Sequence, residues 1–106
     1  MLNSSLPDPE LLKVVLEPLL DDFEYWFGRG RTLLETENIT FLTAQERTEL
    51  LERVQLAQKE VQATQTLFQA TGGQVGIDME ILVPWHNLVT QCWQVAIKLR
   101  QSNQES

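Results

Sequence analysis

Five residues of this 106-residue chain are candidates for metal binding or proton transfer. They are His86, Cys92 and the acidic run of Asp21, Asp22 and Glu24. A histidine can bind a metal or carry a proton near neutral pH, and paired carboxylates can bind Ca²⁺ or transfer protons. However, His86 and Cys92 are spaced poorly for two ligands on one helical face, and no four-ligand set or Glu-x-x-His repeat accompanies them. No serine, histidine and acid form a recognisable triad either. We therefore predict no metal, no cofactor and no enzymatic activity.

Simpler structural roles account for each of these groups. The carboxylates lie between apolar positions on the solvent side of a predicted helix. Cys92 falls on a predicted core face, where a buried cysteine normally acts as a small hydrophobic residue. The glycine-rich stretch from Gly72 to Gly76 follows a helix instead of a strand and lacks the Lys-Ser/Thr of a phosphate loop, so helix termination explains it better.

The composition limits the partners and the location that we expect. The chain has 15 acidic against 8 basic residues and a net charge of −7, so phosphate backbones and anionic membrane surfaces repel it. A single cysteine rules out an intrachain disulfide and favours a reducing compartment. There is no secretory signal, and no apolar run approaches the roughly 20 residues of a membrane helix. We predict a cytoplasmic protein that binds no nucleic acid and does not insert into membranes.

The first predicted helix covers residues 9–35. Asp8 is a good N-cap, and Pro9 suits the first helical position. Pro18 should bend this helix, while Gly28 and Gly30 weaken it and leave open a break near residue 28. Its apolar face is centred on Phe23 and contains Leu12, Leu16, Leu19, Leu20, Trp26, Phe27, Gly30 and Leu34.

Two further helices are predicted at residues 44–71 and 79–101. Thr43 and Glu46 have the spacing of a capping box, and Gly72-Gly73 ends the second helix. Asp78 can cap the third helix. The second helix carries a heptad seam of Leu50, Val54, Ala57, Val61, Thr64 and Phe68, and the third has a central face of Ile81, Trp85, Leu88, Cys92, Ala96 and Leu99.

These elements predict a single all-α domain over residues 1–106. Short connections make neighbouring helices antiparallel, so the expected architecture is an elongated up-down-up three-helix bundle. The tails at 1–7 and 102–106 should fray.

Each helix carries more apolar surface than a small bundle needs. The second stripes contain Leu11, Val14, Val15, Pro18 and Tyr25 on the first helix, Leu56, Ala63, Leu67 and Ala70 on the second, and Leu82, Val89, Trp93 and Ile97 on the third. Exposed apolar patches usually mark association sites, whereas the alternative is that a bent first helix covers them. Association would give a homodimer with a larger helical core, or a complex with another protein.

The predicted function is therefore that of a helical interaction, assembly or regulatory protein. Arginine and aromatic residues are favoured in interface hot spots, although Arg31 can instead pair locally with Glu35. The candidate interface residues are Tyr25, Trp26, Arg29, Leu67, His86 and Trp93. The alternative is a carrier that holds a small molecule or pigment between helices, lined by Trp26, Trp85, His86 and Trp93.

Three segments carry a resemblance to a known family. They are Pro18-Leu-Leu-Asp-Asp-Phe-Glu-Tyr-Trp-Phe27, Ala70-Thr-Gly-Gly-Gln-Val-Gly-Ile-Asp-Met79 and Pro84-Trp-His86. Together they resemble a family of small helical cyanobacterial proteins of uncharacterised function, over nearly the whole chain. The resemblance implies a cytoplasmic or thylakoid-associated helical protein, and it transfers no catalytic residue.

Overall fold

A computed structural model of the protein describes residues 9–73 and 79–105. They form three α-helices, α1 (Pro9–Thr36), α2 (Ala44–Ala70) and α3 (Met79–Glu105), and this part of the chain contains no strand. The all-α prediction is therefore confirmed. The predicted caps Asp8 and Asp78, the tail at 1–7 and the side chain of Leu12 lie outside what the structure describes.

Helix α1 is continuous through Pro18, Gly28 and Gly30, so the break considered near residue 28 does not occur. Its apolar face buries Leu20, Phe27 and Leu34 almost completely. Packing of this face supplies more free energy than the loss of one backbone hydrogen bond and the weak helix propensity of two glycines remove.

Helix α2 begins with the predicted capping box. The backbone N–H of Glu46 donates to Oγ1 of Thr43 at 3.0 Å, and the backbone N–H of Thr43 donates to Oε1 of Glu46 at 2.8 Å. These two bonds satisfy backbone donors that have no partner inside the helix. The heptad seam is buried at Leu50, Val54, Ala57, Val61 and Phe68.

The end of α2 is a Schellman motif built on two glycines. The N–H of Gly73 donates to the carbonyl of Phe68 at 2.8 Å, and the N–H of Gly72 donates to the carbonyl of Gln69 at 3.1 Å. Gly72 and Gly73 have φ values of 65° and 83°, in the left-handed region that favours glycine. The assignment of this stretch to helix termination is consistent with this geometry.

Helix α3 buries most of its predicted central face, namely Trp85, Leu88, Cys92 and Leu99, but two positions differ from the prediction. Ile81, predicted for the core, is 45% exposed, whereas Val89, predicted for the second stripe, is 3% exposed. The reason is that α3 packs mainly against α1, while Ile81 borders an open groove between α3 and α2. The helix also extends to Glu105, beyond the predicted end at residue 101.

The helices form the predicted up-down-up bundle, with extents of 60 × 23 × 18 Å. Pairs of contacting residues run in opposite directions along α1 and α2 and in the same direction along α1 and α3. They are Asp21–Gln65, Glu24–Gln62 and Arg31–Gln58 for the first two helices, and Phe23–Trp85 and Trp26–Trp93 for the others. Helix α1 contacts both neighbours, whereas α2 and α3 contact each other least.

Candidate functional site

Three aromatic side chains form a continuous cluster at the surface between α1 and α3. The rings of Tyr25 and Trp26 meet edge to face with centroids 5.2 Å apart, and Trp26 meets Trp93 in the same way at 5.5 Å. Tyr25 is 57% exposed and Trp93 is 37% exposed, whereas Trp26 packs against the hydrophobic core. Edge-to-face contacts are a favourable arrangement for aromatic rings. The cluster therefore joins the core to an aromatic patch in contact with solvent.

Close approach of α1 and α3 at Gly30 positions this cluster. Gly30 is buried one turn after Trp26, and a Cβ atom at Gly30 would lie 2.6 Å from Sγ of Cys92. Any side chain at this position would separate the two helices, because protein interiors leave no spare volume. The contact between Gly30 and Cys92 thus sets the helix separation across which Trp26 reaches Trp93.

Two exposed charged residues of α1, Asp22 and Arg29, lie on either side of Tyr25 along the helix. They are three residues before it and four residues after it, and these spacings place all three on one helical face. Within the described part of the chain, neither charged side chain forms a hydrogen bond or an ion pair. Both charges are therefore available to a partner.

Three charged residues of α1 that face α2 are, by contrast, hydrogen-bonded to it. The pairs are Asp21 with Gln65 at 3.0 Å, Glu24 with Gln62 at 2.9 Å and Arg31 with Gln58 at 3.3 Å. Arg31 also forms the predicted local ion pair with Glu35 at 3.3 Å. These three residues therefore differ from Asp22 and Arg29, which form no such bond within the described residues.

Helix α3 extends the surface on both sides of Trp93. His86 lies seven residues before Trp93 and Ile97 four residues after it, spacings that return to the same helical face, and both side chains are exposed. We call the exposed side chains of the two helices, together with Trp26, the aromatic face. It consists of Asp22, Tyr25, Trp26, Arg29, His86, Trp93 and Ile97.

The structure brings five of the six predicted interface residues to this face and leaves out Leu67. Leu67 is exposed on α2, two residues from Gln65, which contacts α1. Two residues correspond to about 200° around a helix, so Leu67 faces away from α1. From the sequence, Asp22 was assigned to a solvated face and not to the interface. Its spacing from Tyr25 and Arg29, which returns to the same helical face, is the signal that could have identified it as an interface residue.

A separate groove of about 480 Å³ lies between α2 and α3. Its lining residues are Glu60, Ala63, Thr64, Glu80, Ile81, Pro84 and Trp85. The indole N–H of Trp85 donates to Oε1 of Glu60 at 3.2 Å, and its ring contacts Phe23 in the core at 5.5 Å. Trp93 lies two residues from Gln91, which bonds Arg53 of α2, so Trp93 is on the far side of α3 from this groove.

The surroundings of Cys92 determine the reactivity of its thiol. Cys92 is buried, and burial raises the pKa of its thiol to about 11, with Arg53 acting in the opposite direction. The side chain is therefore a neutral thiol at neutral pH and a poor nucleophile. Among the described residues, no three histidine, cysteine, aspartate or glutamate side chains come together in a way that could hold a metal ion.

None of the three described helices combines the length and hydropathy needed to cross a bilayer.

Comparison with known proteins identifies a family and gives no more specific information. No curated protein and no solved structure matches this chain. One family matches residues 6–101, which agrees with the resemblance to an uncharacterised family in the sequence. The chain belongs to this family, described as "Protein of unknown function (DUF2605)".

Proposed function

We propose that this protein is a non-enzymatic interaction module that binds another protein molecule through its aromatic face. The observation that carries the proposal is the exposed cluster of Tyr25, Trp26 and Trp93, flanked by the unpaired side chain of Arg29. Tryptophan, tyrosine and arginine dominate the binding energy of protein interfaces. They bury a large area and retain a polar group for hydrogen bonding.

The exposed area of the chain supports the same proposal. Its accessible surface is 7320 Å². A compact monomer of this mass should expose roughly 6,100 Å², so the protein exposes about a fifth more. An interface of ordinary size removes about 800 Å² from each partner, which is within this excess. Association over such an interface would therefore remove most of the excess area.

The rest of the proposal follows from the sequence. The absence of an enzymatic role is supported by the buried, neutral thiol of Cys92. The acidic composition, the single cysteine and the absence of a strongly basic region support a cytoplasmic location and argue against nucleic acid as a partner. The resemblance to cyanobacterial proteins supports an origin in those organisms. The alternative to a cytoplasmic location is then association with thylakoids.

A small-molecule carrier is the second candidate, and the groove beside Trp85 is the observation that favours it. The candidate lining residues do not share that groove, however. Trp26 and Trp93 contact each other on the opposite side of α3 from the groove. The side chain of Trp85 is almost completely buried and packs against Phe23 in the core. Preformed ligand pockets instead bring their aromatic and polar groups together in one cavity. We therefore favour the interaction module.

The proposal is tested by site-specific photo-crosslinking in cells that produce the protein. A photoreactive phenylalanine analogue replaces Tyr25 in one variant and Leu56 in a matched control, since Leu56 is equally exposed but on α2. We expect defined crosslinked products from position 25 that disappear when Trp93→Ala is added. Equal products from both positions, or none from position 25, would show that the aromatic face is not the binding surface.

A further inference from the structure

We infer that the partner at the aromatic face is a second copy of this chain, packed so that the two α1 helices run antiparallel and Asp22 of each copy faces Arg29 of the other. This inference rests on the proposed function and specifies its partner. It follows from the order of charges along α1 and from the absence of partners for both of them among residues 9–73 and 79–105.

The spacing of the charges matches a two-fold axis at the centre of the aromatic cluster. Consider a two-fold axis that passes between Tyr25 and Trp26 and is perpendicular to α1. A residue on one side of this axis in one copy then lies opposite the residue at the same distance on the other side in the second copy. Asp22 and Arg29 are both about 5 Å from this axis at a rise of 1.5 Å per residue. In an antiparallel pair each aspartate therefore meets an arginine, and symmetry produces the contact twice.

Other arrangements bring like charges together. A parallel pairing of the same face would place Asp22 near Asp22 and Arg29 near Arg29 of the other copy. The groove between α2 and α3 is bordered by Glu60 and Glu80, so a second copy of this acidic chain would gather carboxylates there. The aromatic face carries one unpaired charge of each sign on α1, which makes it self-complementary.

The composition of the face also suits an interface between two copies. Tyr25, Trp26 and Trp93 would be buried in this interface, and aromatic residues are enriched in interfaces. Asp22 and Arg29 would lie beside them, about one helical turn from the axis, where the two pairs of opposite charge fix the register. Because neither has a partner in the described part of the chain, docking breaks no ion pair there.

The test uses charge reversal in the full chain, with the solution mass followed by light scattering over a concentration series. We expect the unmodified protein to form a species of twice 12.2 kDa. Either Asp22→Arg or Arg29→Asp should raise the dimer dissociation constant about tenfold, because two attractive pairs become repulsive. An equimolar mixture of these two variants should recover dimers, since one copy presents two arginines and the other two aspartates.

Two control variants separate a local effect from net charge. Glu52→Arg and Lys59→Asp change the net charge by the same amounts on exposed positions of α2, and we expect dimerisation to persist in both. A mixture of the aromatic-face variants that dimerises no better than either one alone would overturn the antiparallel register. Circular dichroism of every variant establishes that the helices are intact.

The remaining outcomes distinguish this inference from the proposed function. If Tyr25→Ala weakens dimerisation while the charge reversals do not, the face self-associates in another register, and only the present inference fails. A monomer at every concentration also overturns it, because a second copy is then not the partner. Crosslinking from position 25 to a different protein, together with that monomer, would leave the proposed function standing.

Discussion

A Cβ atom on Gly30 would lie 2.6 Å from the Sγ atom of Cys92, so α1 and α3 approach each other at a separation that a residue with a side chain does not allow. Gly28, two residues earlier on the same helix, lies in different surroundings, because a Cβ there would meet only Nε2 of Gln58 at 3.6 Å, an ordinary contact. The two glycines therefore have opposite roles in the stability of α1.

Substitution of these glycines by alanine should change stability in opposite directions. Gly30→Ala should lower the free energy of unfolding by about 1–3 kcal/mol, because the core around Cys92 is overpacked. Gly28→Ala should raise it by about 0.5–1 kcal/mol through better helix propensity. Urea unfolding followed by circular dichroism measures both values. Equal effects of the two substitutions would show that Gly30 does not set the helix separation.

Stability should fall with rising pH because of Cys92. Its pKa is raised from 9.0 to about 11 in the folded protein, so the unfolded chain loses this proton first. The contribution of Cys92 is therefore complete below pH 9 and is lost as the pH rises to about 11, at roughly 1.4 kcal/mol per pH unit.

The control for this prediction is Cys92→Ala, which lacks the titrating group. Its stability will be lower below pH 9 because a buried sulfur atom is removed. The informative quantity is the slope of the unfolding free energy between pH 9 and pH 11, since groups common to both proteins cancel in the comparison. The same slope in both proteins would contradict the assigned role of Cys92.

Removal of the capping box should destabilise α2. Thr43→Ala eliminates the hydroxyl that accepts the N–H bond of Glu46, and we expect a loss of about 1 kcal/mol. Thr48→Ala serves as the matched control, since the hydroxyl of Thr48 only bonds the carbonyl of Ala44 in its own helix. Thermal unfolding should give a clearly lower midpoint for the first variant alone.

Arg47 should stabilise the junction of α1 and α2. Its Nε–H donates to the carbonyl of Leu34, in the last turn of α1, at 2.7 Å. Arg47→Met keeps much of the aliphatic chain but leaves this part-buried carbonyl without its donor, which should cost about 1–2 kcal/mol. Chemical denaturation measures the change, and a stability equal to that of the unmodified protein would mean that water replaces the arginine.

Features of the fold that depend on neighbouring residues were predictable from the sequence. The capping box at Thr43 and the glycine end at Gly72-Gly73 are local, because every interacting group lies within a few residues. The burial of α3 was predicted less well, and Ile81 and Val89 were assigned to the wrong sides. Their burial depends on how far α3 rotates toward α1, and helical periodicity alone does not determine that rotation.

The candidate site was predictable one helix at a time. The local cluster of basic and aromatic residues on α1 indicated Tyr25, Trp26 and Arg29, and the apolar arc of α3 indicated Trp93. The contact between Trp26 and Trp93 depends on the register of two helices separated by α2, which no local pattern encodes. Gly30 is a second example. The sequence indicates a weak helix former on the apolar face of α1, but it does not show that the absence of a side chain lets α1 approach Cys92 of α3.

The unequal helix contacts have a consequence for how the chain folds during synthesis. Because α2 packs mainly on α1 and little on α3, we expect α1 and α2 to form a helical hairpin before α3 leaves the ribosome. The side of α1 that packs against α3, including Phe23 and Gly30, is then exposed to solvent. Until its own α3 arrives, that side is open to α3 of a neighbouring nascent chain, which makes exchange of α3 between copies the characteristic misassembly of this architecture.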